Sequence, residues 1–245
     1  MPEESVPAES WSGEAGYGYR PSSSPLAALI WWADVDTEYT YTEAATEFWG
    51  LSFGALADGG SSATLIGPAT APRELRMVPG ERHWGVEFEP HVFLRGLEHK
   101  PIDELRELDT DGHWFTLGSI RFPFPALDDL ERLVGSLAAQ GFLVAEASVA
   151  TALRGGDVGY SERNLRRMVT STTGVRRKEI EQMRRARAAY RLLQEGATLA
   201  EAAVAAGYSD QAHMTRSFRV FAGRSPGQIL RDDSSTPFDS RPSDP

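Results

Sequence analysis

Cysteine is absent from all 245 residues. That excludes disulfides, Cys-ligated zinc and a thiol nucleophile, and it fits a reducing compartment. No stretch approaches the roughly eighteen apolar residues that a membrane span needs. The opening MPEESVPAES has neither a basic n-region nor an apolar h-region, so no secretory signal is expected. A soluble, cytoplasmic protein with no membrane partner is the reading that follows. Also missing are a Gly-rich phosphate loop, a Gly-x-Ser-x-Gly elbow and any His-x-His pair. His83, His91 and His99 recur at a regular interval, but the segment changes from strand-like to helix-like between them and the nearby carboxylates are scattered. No metal, no cofactor and no catalytic residue is therefore expected.

What is present is an uneven charge. The net charge of −10 is the wrong sign for a nucleic-acid binder until it is counted by region. Residues 1–160 carry 10 basic and 25 acidic side chains, residues 161–230 carry 13 and 6, and residues 231–245 carry 2 and 4. A module of +7 on a body of −15 is the asymmetry expected when one region meets phosphate and the other does not. A solvated Arg-rich helix face would give the same count, so spacing has to decide.

Residues 1–25 are rich in Ser, Glu, Gly and Pro, and they read as a disordered tail. Leu26–Ala33, Phe48–Phe53, Ala63–Gly67, Arg73–Val78 and Trp84–Glu89 read as short strands between Gly, Pro or Asp clusters. Strands at this spacing predict an antiparallel sandwich or small barrel over 26–125. Asp103–Leu108 is a short helix candidate. Ala126–Gln140 reads as a linker helix with Leu127, Leu130, Leu133, Val134 and Leu137 on one face. A third helix is expected from Phe142 or Leu143 to Leu153, ending at Arg154-Gly155-Gly156. Residues 141–232 then form an all-helical domain, and 233–245 a second disordered tail. The fold class is α+β.

The helical part contains a weak repeat. Gly159-Tyr160-Ser161-Glu162-Arg163-Asn164-Leu165 resembles Gly207-Tyr208-Ser209-Asp210-Gln211-Ala212-His213. Each copy offers a Gly for a tight turn, an aromatic to plug the core and a Ser to N-cap the next helix. These are the parts of a helix-turn-helix. Leu165, Met168, Val169 and Thr172 make a buried stripe in the first copy, while Arg163, Arg166, Arg167 and Thr170 lie roughly 200° around the helix. In the second copy Met214, Ser217, Phe218 and Phe221 face inward, and Ala212, Thr215, Arg216 and Arg219 outward, with Gln211 and His213 at the margins. Arg, Gln, Thr and His can reach base edges or phosphates. Thr198 can cap a small-residue support helix, Leu199–Ala206, ahead of the second copy. A long helix from about Lys178 to Glu195 joins the copies, with Ile180, Met183, Ala186, Arg187, Tyr190 and Leu193 along one side.

Residues from about 161 to 230 resemble the DNA-binding domain of the AraC/XylS family of bacterial transcription regulators. The stretch from Leu199 to Phe218, followed by Phe221-Ala222-Gly223-Arg224-Ser225-Pro226, carries the family pattern of Ala, Gly-aromatic, Ser/Asp-Gln, His, Arg-x-Phe and Gly-x-Ser-Pro. The resemblance implies two helix-turn-helix units joined by a long helix, each inserting a recognition helix into the major groove of double-stranded DNA. By position it implies base readers at Arg163, Arg166 and Arg167 in the first unit. In the second it implies Gln211, His213, Thr215 and Arg216, with phosphate contacts from Arg219 and Arg224. The first unit departs from the pattern. Its support helix is either absent or is the 143–153 segment followed by a lengthened turn.

Gly67–Arg73 through Gly80–Pro90 is similar to the β-rich, cupin-like sensory domain of some of these regulators. That implies a small-molecule effector or dimerisation through this domain; RNA polymerase is a further partner that such regulators use. Trp31, Trp49, Phe53 and Trp84 are candidates to line an aromatic effector pocket, and the core of a small β domain would use the same residues. Arg73, Arg76 and Arg82 are expected to be ion-paired on the acidic body. Two rival readings stay open here. One is a metal-dependent cupin-like catalyst, which lacks a ligand cluster. The other is a former DNA-binding fold turned protein-interaction module, supported by the irregular first unit.

Overall fold

The computed structural model describes residues 16–97 and 100–231. Its first twelve extended segments are short and interrupted by turns, as the Gly and Pro clusters dictate. They are β1 (Tyr17–Pro21), β2 (Ala27–Asp34), β3 (Tyr39–Glu43), β4 (Trp49–Ala55), β5 (Ser61–Ile66), β6 (Arg73–Met77), β7 (Arg82–Phe88), β8 (Val92–Leu94), β9 (Leu105–Glu107), β10 (Trp114–Leu117), β11 (Ile120–Pro123) and β12 (Leu143–Ala145). A six-stranded sheet runs β1-β2-β7-β4-β5-β9, and three two-stranded pairs, β3-β6, β8-β12 and β10-β11, flank it. Every pairing is antiparallel.

Register assigns the faces. Trp32, Trp84, Phe53 and Ala63 stand opposite one another across four strands, and Ile30, Val86, Leu51 and Leu65 form the next row of the same face. That face is the core. Helix α1 (Leu130–Ala139) lays Leu130, Leu133, Val134 and Leu137 onto it. The helix expected to be a linker is therefore a wall of the β-rich part. Gly50 lets β4 and β7 close, since a Cβ there would stand 2.4 Å from the Val86 carbonyl oxygen.

Several expected boundaries move. Tyr17–Pro21, within the span expected to be disordered, is an edge strand paired with β2; residues 1–15 and the tail 233–245 lie outside the described residues. The Asp103–Leu108 helix does not form. Asp103 sits at φ 58, which a helix cannot accommodate, and Leu105–Glu107 instead extends the sheet beside β5. The helix expected from 142 or 143 is strand β12 followed by α2 (Ala147–Leu153), because Val144 pairs with Phe93 and Glu146 restarts the chain as an N-cap.

The remaining helices are α3 (Glu162–Thr173), α4 (Arg177–Gln194), α5 (Leu199–Ala205), α6 (Gln211–Ala222) and α7 (Pro226–Ile229). They close around a second apolar core. Two residues of the β-rich part, Ala44 and Ala45, belong to this second core, so the two parts are joined by packing as well as by the chain. Among the described residues no helix is long and apolar enough to cross a membrane.

The junction also explains an anomaly in the sequence. Arg187 falls within the apolar stripe of α4, and it is buried there. Its partner is Glu47, between β3 and β4. Oε2 of Glu47 accepts from Arg187 Nη2 at 2.8 Å, and Oε1 accepts from Arg187 Nη1 at 3.3 Å and from Arg184 Nε at 3.0 Å. Burial alone would push the Glu47 carboxyl up; the charge and hydrogen bonds of Arg187, then the charge of Arg184, hold it down at about 2.

A carboxylate depressed in the native state stabilises the fold above its ordinary value. For Glu47 that contribution is whole above about pH 4.5 and is lost as pH falls toward about 2. Urea unfolding from neutral pH to about pH 2 should show wild type losing stability in this window relative to Glu47→Gln. A constant gap between the two proteins would mean that Glu47 is not ionised in the native fold.

Candidate nucleic-acid interface

The second unit is built from short-range chemistry. Thr198 caps α5 by accepting from the Glu201 N–H at 3.3 Å, and the Glu201 carboxylate accepts from the Thr198 N–H at 2.9 Å. This is the reciprocal capping box; the Thr198 hydroxyl, at 2.7 Å, and then the Thr198 N–H donate to the Glu201 carboxylate and hold it below its usual range. The turn is tight because Gly207 takes φ 76. Tyr208 is buried behind it, with its hydroxyl 2.9 Å from Ser217 Oγ. The cap of α6 is Asp210 and not the expected Ser209: Asp210 Oδ1 accepts from the His213 N–H at 2.6 Å. Ser209 instead meets His213 Nδ1 at 3.1 Å, and the imidazole stands edge-on to Tyr208. The imidazole is thus held through Nδ1.

The inner face of α6 is Met214, Phe218, Phe221 and Ala222. Its outer face presents Gln211, Arg216 and Arg219 exposed, with His213 and Thr215 half-buried. Gln211, Ala212, Thr215, Arg216 and Arg219 line one shallow concavity along that face. Arg224 lies half-buried just after the left-handed C-cap Gly223.

The first unit has the same logic with a longer turn. α2 is the support helix that the sequence left open, and α3 packs against it. Residues 154–161 separate α2 from α3, against 206–210 between α5 and α6. Gly159 takes φ 69 and Ser161 Oγ caps α3 by accepting from Asn164 N–H. The expected aromatic plug fails here: Tyr160 is 53% exposed where Tyr208 is 6%. The extra turn residues turn Tyr160 outward, and Val158 packs against the core instead. On α3, Leu165, Val169 and Thr172 are buried and Arg163, Arg166, Arg167 and Thr170 are exposed. Arg166 Nε lies 3.1 Å from Glu162 Oε1 in an exposed pair. Between the units, the 18 residues of α4 span roughly 27 Å.

The aromatic set divides. Trp49 stacks on Phe88 and donates to the Val92 carbonyl at 2.7 Å. Phe53 packs edge-on to Phe115 and Phe124, and Trp84 donates to the Pro125 carbonyl at 3.0 Å. Trp31 lies on the opposite face of the sheet, against Gly85. The four do not face one cavity. Arg73 pairs with Glu43, and Arg76 with Glu38. His83 pairs with Glu81 at 3.0 Å, His91 lines a small cleft with Arg154 and Arg184, and His99 lies outside the described residues. Among the described residues, no three His, Asp or Glu side chains cluster to hold a metal. Sequence reasoning missed Glu47; its one signal was a charged residue, Arg187, inside an apolar stripe.

Residues 156–232 match a family model described as a helix-turn-helix domain. The match covers α3 to α7 and leaves α2 outside. The solved structure of ToxT from Vibrio cholerae is similar over 88% of this chain and 98% of that one, with 8% identity and a TM-score of 0.43. No curated protein sequence matches the chain. With its two capped helix-turn-helix units, the chain carries a DNA-binding helix-turn-helix domain. Its helix-turn-helix region is of the AraC/XylS type.

The Asp210 cap carries the local geometry of α6. Asp210→Ala should lower stability through loss of the cap, read by urea unfolding, and should weaken DNA binding through His213. Unchanged stability would mean that the cap seen here contributes nothing.

Proposed function

We propose that the protein is a sequence-specific regulator that reads two half-sites on double-stranded DNA, with α3 and α6 in successive major grooves. The observation that carries this is the pair of exposed helix faces, Arg163, Arg166 and Arg167 on α3 and Gln211, Thr215 and Arg216 on α6. They stand on the two sides of a joining helix of suitable length, since successive major grooves lie about 34 Å apart. Arg216 and the α3 arginines suit guanine, Gln211 suits adenine, and Arg219 and Arg224 suit phosphate. Arg166 would exchange Glu162 for DNA at little cost, because an exposed ion pair is worth about 0–1 kcal/mol. The acidic β-rich part is kept off the DNA by its charge and is the part on which a small effector or a second copy would act. We assign no catalytic step to it.

Selection of full-length protein against a random duplex pool at near-physiological salt tests the reading. A motif with two half-sites about one helical turn apart is expected. A single short motif would confine base reading to α6, and no enrichment, with or without residues 1–140, would overturn the proposal. Arg216→Ala should cost about 1–3 kcal/mol at the selected site and relax the preference at one base pair. Equal weakening on all sequences would make Arg216 a phosphate contact instead.

A further inference from the structure

The last-turn carbonyls of a helix have no partners within it. In both recognition helices of this protein those carbonyls are met by the β-rich part. At α3, the Lys100 ammonium donates to the carbonyls of Ser171 and Thr172. Ile102 is seated against the C-cap Gly174 so closely that a Cβ there would stand 2.7 Å from it. At α6, the Ala45 N–H donates to the Phe221 carbonyl at 2.7 Å, and Pro72 lies beside the C-cap Gly223.

Glu47 lies two residues after Ala45. Its side chain has no solvent exposure, and it holds Arg184 and Arg187 of the joining helix. Arg184 Nη1 also donates to the Leu153 carbonyl at 2.8 Å, at the end of the first unit's support helix. Phe48, next in sequence, lies under the Arg187 guanidinium. One segment of the β-rich part therefore touches α2 through Arg184, α4 directly and α6 through Ala45.

We propose that Glu47 is a positioning residue for DNA readout: with Lys100 it fixes how α3 and α6 stand to each other, and so sets the half-site spacing that the protein accepts. This rests on the two-half-site reading above. The joining helix packs against α3, α5 and α6, and the β-rich part adds a second tie at the far ends of the two recognition helices; together they fix the relative rotation of the units. Glu47 is buried and neither it nor Lys100 lies on α3 or α6, so the half-site sequences would be unaffected.

The experiment presents full-length wild type, Glu47→Gln and Lys100→Met with duplexes carrying the selected half-sites at graded separations. Folding is checked by far-UV circular dichroism. Wild type should accept one separation. Each folded variant should keep its affinity for an isolated half-site while losing about tenfold on the paired site and accepting a wider range of separations. A merely structural role would lower thermal stability and leave the accepted separation unchanged, and that result overturns the proposal. If Glu47→Gln does not fold, Lys100→Met carries the test, since Lys100 is half-buried at the rim of the junction. A wild type that accepts every separation equally would overturn the two-half-site reading, and this inference with it.

Discussion

A carboxylate without solvent contact stays ionised only if fixed positive charge replaces its water, and Glu47 has two guanidiniums doing so from one helix. The rest of the molecule is organised around that requirement. The segment from Ala44 to Phe48 must enter the helical core, with Ala44 and Ala45 packed there and the Ala45 N–H bonded to α6. It must also stay anchored to the β-rich part, which the bridge between Thr46 and Ala69 supplies. A buried ion pair adds little net stability compared with apolar packing of the same volume. What it does supply is a unique register, because any slip of the β-rich part along α4 would strand charge in the core.

The division of charge follows the same plan. Arginines of the helical part that face inward at the junction find acidic partners there, as Arg184 and Arg187 do in Glu47. Those on the outward faces of α3 and α6 have few nearby acids: Glu162 beside Arg166, and Asp210 near Arg216. Positive charge is left exposed on those faces, beside a body whose excess negative charge repels phosphate. On the proposed reading, approach to DNA would thereby be oriented before any base is read.

How much of this was legible depended on the range of the interaction. Helical period alone revealed the inner and outer faces of α3, α4 and α6, because Leu165, Val169, Met214 and Phe218 recur at the spacing that packing demands. The strands with dense β-branched or aromatic residues, β2, β4 and β7, were legible for the same reason. Missed were β1, β3 and β8 to β12, short segments stabilised from outside their own sequence: β1 and β9 by an open sheet edge, β3 by β6, β8 and β12 by each other, and β10 and β11 likewise. Asp103, in the left-handed region, gave no warning that Leu105–Glu107 would be a strand. The aromatic candidates misled because a sheet sends alternate side chains to opposite faces, so Trp31 parts company with Trp84. Glu47 was invisible since its partners lie far along the chain; only the placement of Arg187 hinted that an acid was needed.

The two helix-turn-helix units differ in what holds them. The second is secured locally by its capping box, the Asp210 cap, the Tyr208 plug and the Arg185 guanidinium over that ring. The first has a longer turn, an exposed Tyr160 and a smaller residue, Val158, at the core. A helix held loosely by its own unit needs support from elsewhere, and α3 receives it from Lys100 and Ile102 at the end opposite its cap. A change in the β-rich part would therefore displace α3 more readily than α6. On the proposed reading, regulation through that part would act first on the half-site assigned to α3 and leave the half-site assigned to α6 as the anchor on DNA.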